Sequence, residues 1–274
     1  DPEMSRGLGD VYKRQLYFYE WEFTNAVNER YTVKSLIKAI RVLECFSVEN
    51  PELGISEISR MLHLQKSSVY NILTTFECCG YVKQNSQSGK YRLGLKVLHL
   101  GYIVSHHMGL RDIFQPYMAE IATKTQEACY FAIPDNYEVL YLEAVYPNGQ
   151  QTRNLLGERA PLYCTGLGKA MLAFMTPTEQ EHILSLPMKA YTQFTICDPK
   201  VLRLQLAEIR QQGYSVDDME HEFGIRCISV PIFGADGEVK AAVSVSGPSM
   251  RFNSEKIHAY AHILKETMEP LQHC

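Results

Sequence analysis

Between Val33 and Leu93 the apolar residues run through three helical segments and then switch to a strand period, and few folds accommodate that order. Leu36, Ile37, Ile40, Leu43 and Phe46 repeat at i, i+3/i+4 and i+7, which predicts a helix starting at Val33. Pro51 and Gly54 in "ENPELG" break it. A short helix through Glu57, Ile58 and Leu62 follows, with Ser56 as its predicted cap. After His63, Leu64 and Gln65 a third helix starts near Lys66, runs to about Cys78 and stops at Gly80. Tyr81-Val82 and Tyr91-Arg92-Leu93 then read as short strands around the turn residues Asn85-Ser86-Gln87-Ser88-Gly89. Three helices closed by a hairpin form the outline of a winged helix-turn-helix.

The third helix has two unlike faces. Val69, Ile72, Leu73 and Phe76 share one and belong to a core. Ser67, Ser68, Tyr70, Asn71, Thr74 and Thr75 occupy the other. Short hydrogen-bonding side chains suit a helix pressed into a major groove, where Asn pairs with adenine and Thr touches a thymine methyl. Lys66 and the open N–H groups of the first turn suit a phosphate. Lys83, Lys90 and Arg92 around the wing are placed for the DNA backbone or the minor groove. Composition agrees only when divided. The whole chain carries a net charge of −4, but residues 31–93 sum to +3 and the remainder to −7. A basic small segment beside an acidic larger one points to two domains with different partners.

The eight cysteines are scattered without a C-x-x-C pair, so they read as reduced and structural. No apolar run reaches the roughly 18 residues that span a bilayer, and no signal-peptide pattern is present, so a cytoplasmic, non-membrane protein is expected. Residues 1–30, with the aromatic run "LYFYEWEF", match nothing that follows and read as a leader, disordered or non-native. Residues 31–93 are the expected DNA-binding domain, and 94–109 a linker helix with Leu95, Leu98, Tyr102 and Val104 apolar. Residues 110–274 mix helices with hairpin strands, as in the two alternating strands around Ala235-Asp236-Gly237, and predict an α+β domain with an antiparallel sheet.

In that second domain Ser244 and Ser246 share one side of a strand while Val243 and Val245 take the other. "TGLGKA" sets small residues at a predicted helix start, where N–H groups meet an anion. Asp217 is expected on a loop after a helix, and Cys227 at the entry to a strand. Hydroxyls and N–H groups suit a small carboxylate, and Asp217 suits the hydroxyls of a sugar acid.

The stretches "SLIKAIRVLECFS", "LGISEISRMLHLQKSSVYNILTTFECCGYV", "YRLGLKVLHLG", "APLYCTGLGKAMLAFM", "IRQQGYSVDDMEHEFGIRCISVPIFGADGEVKAAVSVSGP" and "MRF", in that order, resemble the IclR family of bacterial transcription regulators from about Thr32 to the C-terminus. The resemblance implies a GAF/profilin-like effector-binding domain and homodimers or homotetramers on near-palindromic operator DNA, more often as a repressor. It carries effector contacts onto Gly166, Leu167, Asp217, Ile225, Cys227, Ser244 and Ser246, and more loosely onto Thr152 and Ala160. It requires no cofactor. Three positions depart from the family pattern: His63 replaces a frequent Gly and predicts a left-handed backbone there, Gln65 replaces a frequent Pro, and Asn71 a frequent Arg.

Two other readings compete. A small-molecule sensor without DNA binding is opposed by the polar helix face and the basic wing. A hydrolase would cast Cys227 as nucleophile, His221 as base and Asp217 as orienter, but no nucleophile-elbow motif is present, and the chain is expected not to be an enzyme. His258 and His262 stand i, i+4 without the intervening Glu of a zinc helix and read as a wet surface pair, and His106-His107 as linker residues.

Overall fold

The computed structural model describes residues 32–108, 110–147 and 155–272. The leader 1–30 and the expected contact Thr152 lie outside the described residues. The chain divides into two compact units, residues 1–107 and 108–274.

The first unit contains α1 (Lys34–Glu44), α2 (Ile55–Leu62), α3 (Lys66–Cys78), β1 (Val82–Gln84), β2 (Tyr91–Leu93) and most of α4 (Leu95–Met108). Its core gathers one or two side chains from each of the first five elements: Val42, Cys45, Ile58, Val69, Leu73, Val82 and Tyr91, with Leu53 from the loop. Leu53 also exchanges two backbone hydrogen bonds with Tyr91, at 2.9 and 2.8 Å, and so extends the wing sheet by one residue. A single bridged residue has no period by which it could be read from the sequence.

The helix that the apolar period predicts is present; Leu43 and Phe46 pack on the core beside Val42 and Cys45, while Leu36 and Ile40 are exposed. One expectation is corrected: Ser56 does not cap α2. The N-cap is Gly54, whose N–H donates to Glu57 Oε2 at 2.6 Å, so the carboxylate three residues on supplies the capping contact. His63 takes the expected left-handed backbone, at φ 52°. α3 ends in a complete Schellman motif. Gly80 at φ 80° donates its N–H to Glu77 O, Tyr81 donates to Phe76 O, and the Phe76 and Tyr81 rings pack 6.0 Å apart.

The second unit begins with α5 (Leu110–Thr125), β3 (Ala128–Asp135), β4 (Glu138–Val145), β5 (Arg159–Pro161) and α6 (Gly166–Leu172). It continues through α7 (Pro177–Ser185), α8 (Pro199–Gln212), β6 (Ser215–Asp218), β7 (Ile225–Phe233), β8 (Val239–Pro248) and α9 (Ser254–Met268). The strands form one antiparallel sheet in the order β5-β4-β3-β8-β7-β6. One face carries Cys129, Phe131, Val243, Val245, Ile228 and Val230 and packs on α5 and α9. The other is covered by α6, whose neighbours α7 and α8 complete a second apolar cluster. Arg251 of the "MRF" stretch clamps the buried Glu127 with two N–H donors. Gly247 makes room for that carboxylate, since a Cβ there would lie 2.3 Å from Glu127 Oε2.

Candidate functional site

The first candidate surface is α3 with the wing. Lys66, Ser67, Ser68, Tyr70 and Asn71 are exposed and Thr74 is half-buried, while Val69 and Leu73 on the opposite face are fully buried. Gln65 at the N-cap makes no side-chain hydrogen bond to the helix, so the first-turn donors of α3 are not taken by a cap. These donors and Lys66 face outward together, which is the requirement for holding a phosphate.

Lys83 and Arg92 stand directly opposite each other on β1 and β2. Both are exposed, and neither makes an ion pair among the described residues. Directly opposed like charges destabilise a hairpin, so the arrangement makes physical sense where a polyanion neutralises both. Lys90 behaves differently from the expectation. Its Nζ lies 3.0 Å from Glu57 Oε1, and this pair ties the wing to α2. The turn before it is stiffened by Asn85 Oδ1, which accepts the Gln87 N–H at 3.0 Å.

The second candidate surface is the α6 side of the sheet. The register aligns two rows across the strands: Tyr130, Ser244, Ser229 and Ser215, and beside them Ala128, Ser246, Cys227 and Asp217. Ser244, Ser229 and Asp217 are buried, and Ser246, Cys227 and Tyr130 are half-buried. Cys227 Sγ donates to Ser246 Oγ at 3.0 Å. The structure therefore brings Asp217, Cys227, Ser244 and Ser246 together. It corrects one local expectation, since Asp217 lies inside β6 and not on a loop, whereas Cys227 is the third residue of β7, near the strand's entry as expected. A four-residue strand after a helix-ending glycine carries too little alternation to be read from sequence.

Gly166 sits against this face. A Cβ there would lie 2.6 Å from Ser229 Oγ and 3.1 Å from Cys227 Cβ, so only glycine allows the approach. The helix start is less open to an anion than the sequence suggests, because Thr165 Oγ1 takes the Gly168 N–H at 3.0 Å and Gly166 itself is buried. Leu167 and Ala160 are buried in the apolar cluster, and Ala160 lies on β5, the edge strand farthest from β6 in strand order. Ile225 opens β7, half-buried and paired with Pro248.

Sequence reading missed what lies beneath Asp217. Lys169 of α6 is completely buried. Its ammonium is ion-paired with Glu220 and donates to Val216 O at 2.7 Å and to Gln205 Oε1 at 3.0 Å. The Glu220 N–H donates to Asp217 Oδ1 at 2.7 Å. Burial raises the Asp217 carboxyl to about 7, against the opposing pull of Lys169, and raises Glu220 as well. The signal for Lys169 was available: it is the one charge in the otherwise apolar "GLGKAML".

Nothing here builds a nucleophile. Burial pushes the Cys227 thiol well above its ordinary range, the reverse of activation, and the His221 ring lies tilted against Tyr191, 5.1 Å between centroids. His258 Nδ1 lies 3.2 Å from Tyr214 Oη and His262 pairs with Glu266, so the two histidines serve separate contacts. Among the described residues no helix is long and apolar enough to cross a membrane.

Comparison with known proteins places the geometry. The family model described as "Bacterial transcriptional regulator IclR C-terminal" matches residues 102–273, and that described as "IclR helix-turn-helix domain" matches 35–86. The transcriptional regulator KdgR of Escherichia coli is 34% identical over 237 residues, 85% of this chain and 89% of that protein. The transcriptional repressor IclR of Escherichia coli is 28% identical, over 86% and 88%. An IclR homolog of Microbacterium hydrocarbonoxydans, solved in complex with 4-hydroxybenzoate, superposes with a TM-score of 0.73 at 28% identity, covering 87% of this chain and 97% of that one.

Proposed function

Because the chain belongs to the IclR family of DNA-binding transcriptional regulators, we propose that it is a ligand-responsive repressor of a catabolic operon. Its effector is a small organic acid or sugar acid. The observation that carries the reading is the exposed polar face of α3 set beside an unneutralised Lys83–Arg92 pair. Asn71 and Tyr70 read base edges, Ser67, Ser68 and Thr74 take the neighbouring hydrogen bonds, and Lys66, Lys83 and Arg92 hold phosphates. Lys90 contributes only after release from Glu57.

The working species is a homodimer, or a homotetramer of two dimers. Val33, Leu36 and Ile40 form an exposed stripe on α1, and Leu95 and Leu98 of α4 are 82% and 70% exposed. Apolar patches of that kind on a small unit suit a second copy. Two-fold pairing sets two copies of α3 on operator half-sites about 34 Å apart, or a multiple of that.

The effector site is the face bearing Asp217, Cys227, Ser244 and Ser246, bordered by Gly166 and Ile225. The crystallised 4-hydroxybenzoate complex of a relative supports an acid as ligand class. Effector binding shifts the population of dimer arrangements and so the spacing of the two reading helices.

The test is fluorescence anisotropy of the full chain on DNA upstream of its own gene, with non-specific competitor. Competitor-resistant binding that is released by an organic acid supports the reading. Absence of specific binding to any selected duplex overturns it in favour of a sensor without DNA binding.

A further inference from the structure

The polar side chains of the wing fall into two groups. Lys83 and Arg92 face solvent with no counter-charge among the described residues. Asn85, Ser88 and Lys90, at the turn, are instead engaged from within the fold by two carboxylates. Glu52, in the loop before α2, accepts Asn85 Nδ2 at 3.2 and 3.3 Å and the Ser88 hydroxyl at 3.5 Å. Glu57 of α2 accepts Lys90 Nζ at 3.0 Å through Oε1. Its other oxygen, Oε2, accepts the Gly54 N–H at 2.6 Å. These two donors, the Gly54 N–H first, hold the Glu57 carboxyl below the usual carboxylate range.

The Lys90–Glu57 pair lies at the surface, with side chains 42% and 36% exposed, and such a pair adds little to the stability of a fold. Its effect lies in charge. A cation already neutralised by a fixed carboxylate presents no net charge to a polyanion. Turning Lys90 to a phosphate would leave the Glu57 carboxylate bare beside that phosphate, and the repulsion offsets the new contact. The carboxylate does not swing away, because the Gly54 N–H fixes it at the start of α2. The lysine backbone is fixed as well. Its carbonyl accepts the Asn85 N–H at 2.8 Å and its N–H donates to Ser88 Oγ at 3.3 Å, so it belongs to the turn that Glu52 pins.

We propose that Glu57 sets the affinity of the DNA contact by withholding Lys90 from phosphate, so that the wing holds the DNA backbone through Lys83 and Arg92 alone. This rests on the DNA-binding reading given above and deepens it. Each phosphate contact contributes about −0.9 to the slope of log K against log salt, so a released Lys90 on each of two wings steepens the slope by about 1.8. With no gain at about 1 M salt, that is about 60-fold in affinity at about 0.1 M. Coupling between an effector site and a second site is commonly about 5–150-fold. The withheld contact is therefore as large as the change an effector makes, and Glu57 keeps the complex weak enough for an effector to release.

The experiment is fluorescence anisotropy across a salt series, for the full chain on its selected duplex and on an unrelated duplex of equal length. Wild type is measured beside Glu57→Gln and beside the double variant Glu57→Gln with Lys90→Met. Glu57→Gln keeps a carbonyl oxygen for the Gly54 N–H and removes the charge that holds Lys90. It steepens the slope by about 1.8 and tightens binding about 60-fold at about 0.1 M salt, on both duplexes. The double variant, neutral like the native pair, returns to the wild-type slope, which separates release of Lys90 from the loss of a charge near DNA. A double variant shallower than wild type by about 1.8 overturns the proposal, because Lys90 then already holds phosphate. A Glu57→Gln slope equal to wild type also overturns it, because the freed lysine then does not reach DNA. Lysine acetylation of the wild-type protein, read by mass spectrometry with and without DNA, tests the same point with the fold untouched. DNA protects Lys66 and Lys83 and leaves the rate at Lys90 unchanged, and protection of Lys90 overturns the proposal. Wild-type protein that binds no duplex overturns the regulator reading, and this proposal with it.

Discussion

Removing Lys83 or Arg92 has opposite effects on DNA affinity and on stability, and that opposition separates a nucleic-acid contact from a structural one. The two side chains face each other across the wing without a counter-charge among the described residues. Opposed like charges cost a hairpin about 0.2–1 kcal/mol, near the lower figure for exposed groups. Arg92→Ala therefore leaves the midpoint of thermal unfolding unchanged or raises it by up to about 2 °C. On DNA the same change removes one phosphate contact per wing. Each contact contributes a slope of about −0.9 to log K against log salt, so a two-fold complex loses about 1.8 from its slope. Lys83→Ala gives the same result, and both variants weaken binding about equally on specific and non-specific duplexes. The assay is anisotropy across a salt series beside a thermal scan of the same samples. A slope unchanged from wild type together with a lowered midpoint refutes the argument, because the pair is then structural.

Three further outcomes follow from single residues. Asn71→Ala costs about 1–3 kcal/mol of discrimination at one base-pair position while leaving the salt slope unchanged, measured on a panel of single-base operator variants. Lys169→Met strands Glu220 as an uncompensated buried charge and destabilises the second unit by about 3–5 kcal/mol in urea titration, whereas pairing it with Glu220→Leu restores most of the loss. Gly80→Ala forces a Cβ into a left-handed position that closes α3 and costs about 1–2 kcal/mol, read as an earlier unfolding midpoint of the first unit.

The helices of both units were legible where period and punctuation agree. α3 runs from Lys66 to Cys78 and closes at the left-handed Gly80, as its period and its terminal glycine predict. Side-chain alternation also foretold the sorting of Val243 and Val245 from Ser244 and Ser246 onto opposite faces. What stayed hidden depends on pairing between distant segments. No local pattern tells that Ser215, Ser229 and Ser244 align in one row, that Lys90 spends its charge on Glu57, or that Lys169 meets Glu220 from 51 residues away.

The two units handle unfavourable charge in opposite ways, and the difference assigns each a distinct physical control. In the first unit Lys83 and Arg92 repel each other at the surface, in high dielectric, where mobile ions screen the repulsion and a polyanion relieves it. In the second unit Asp217 is surplus to the Lys169–Glu220 pair inside the fold, where mobile ions do not reach and only a proton relieves it. Salt at fixed pH therefore reads the DNA contact, and pH at fixed salt reads the effector contact. Asp217→Asn removes the pH response of effector binding and leaves the salt slope on DNA intact. Arg92→Ala lowers the salt slope and leaves the pH response intact. A crossed result, in which Asp217→Asn alters the slope in the absence of effector, contradicts this division, because the buried charge would then act on the DNA contact.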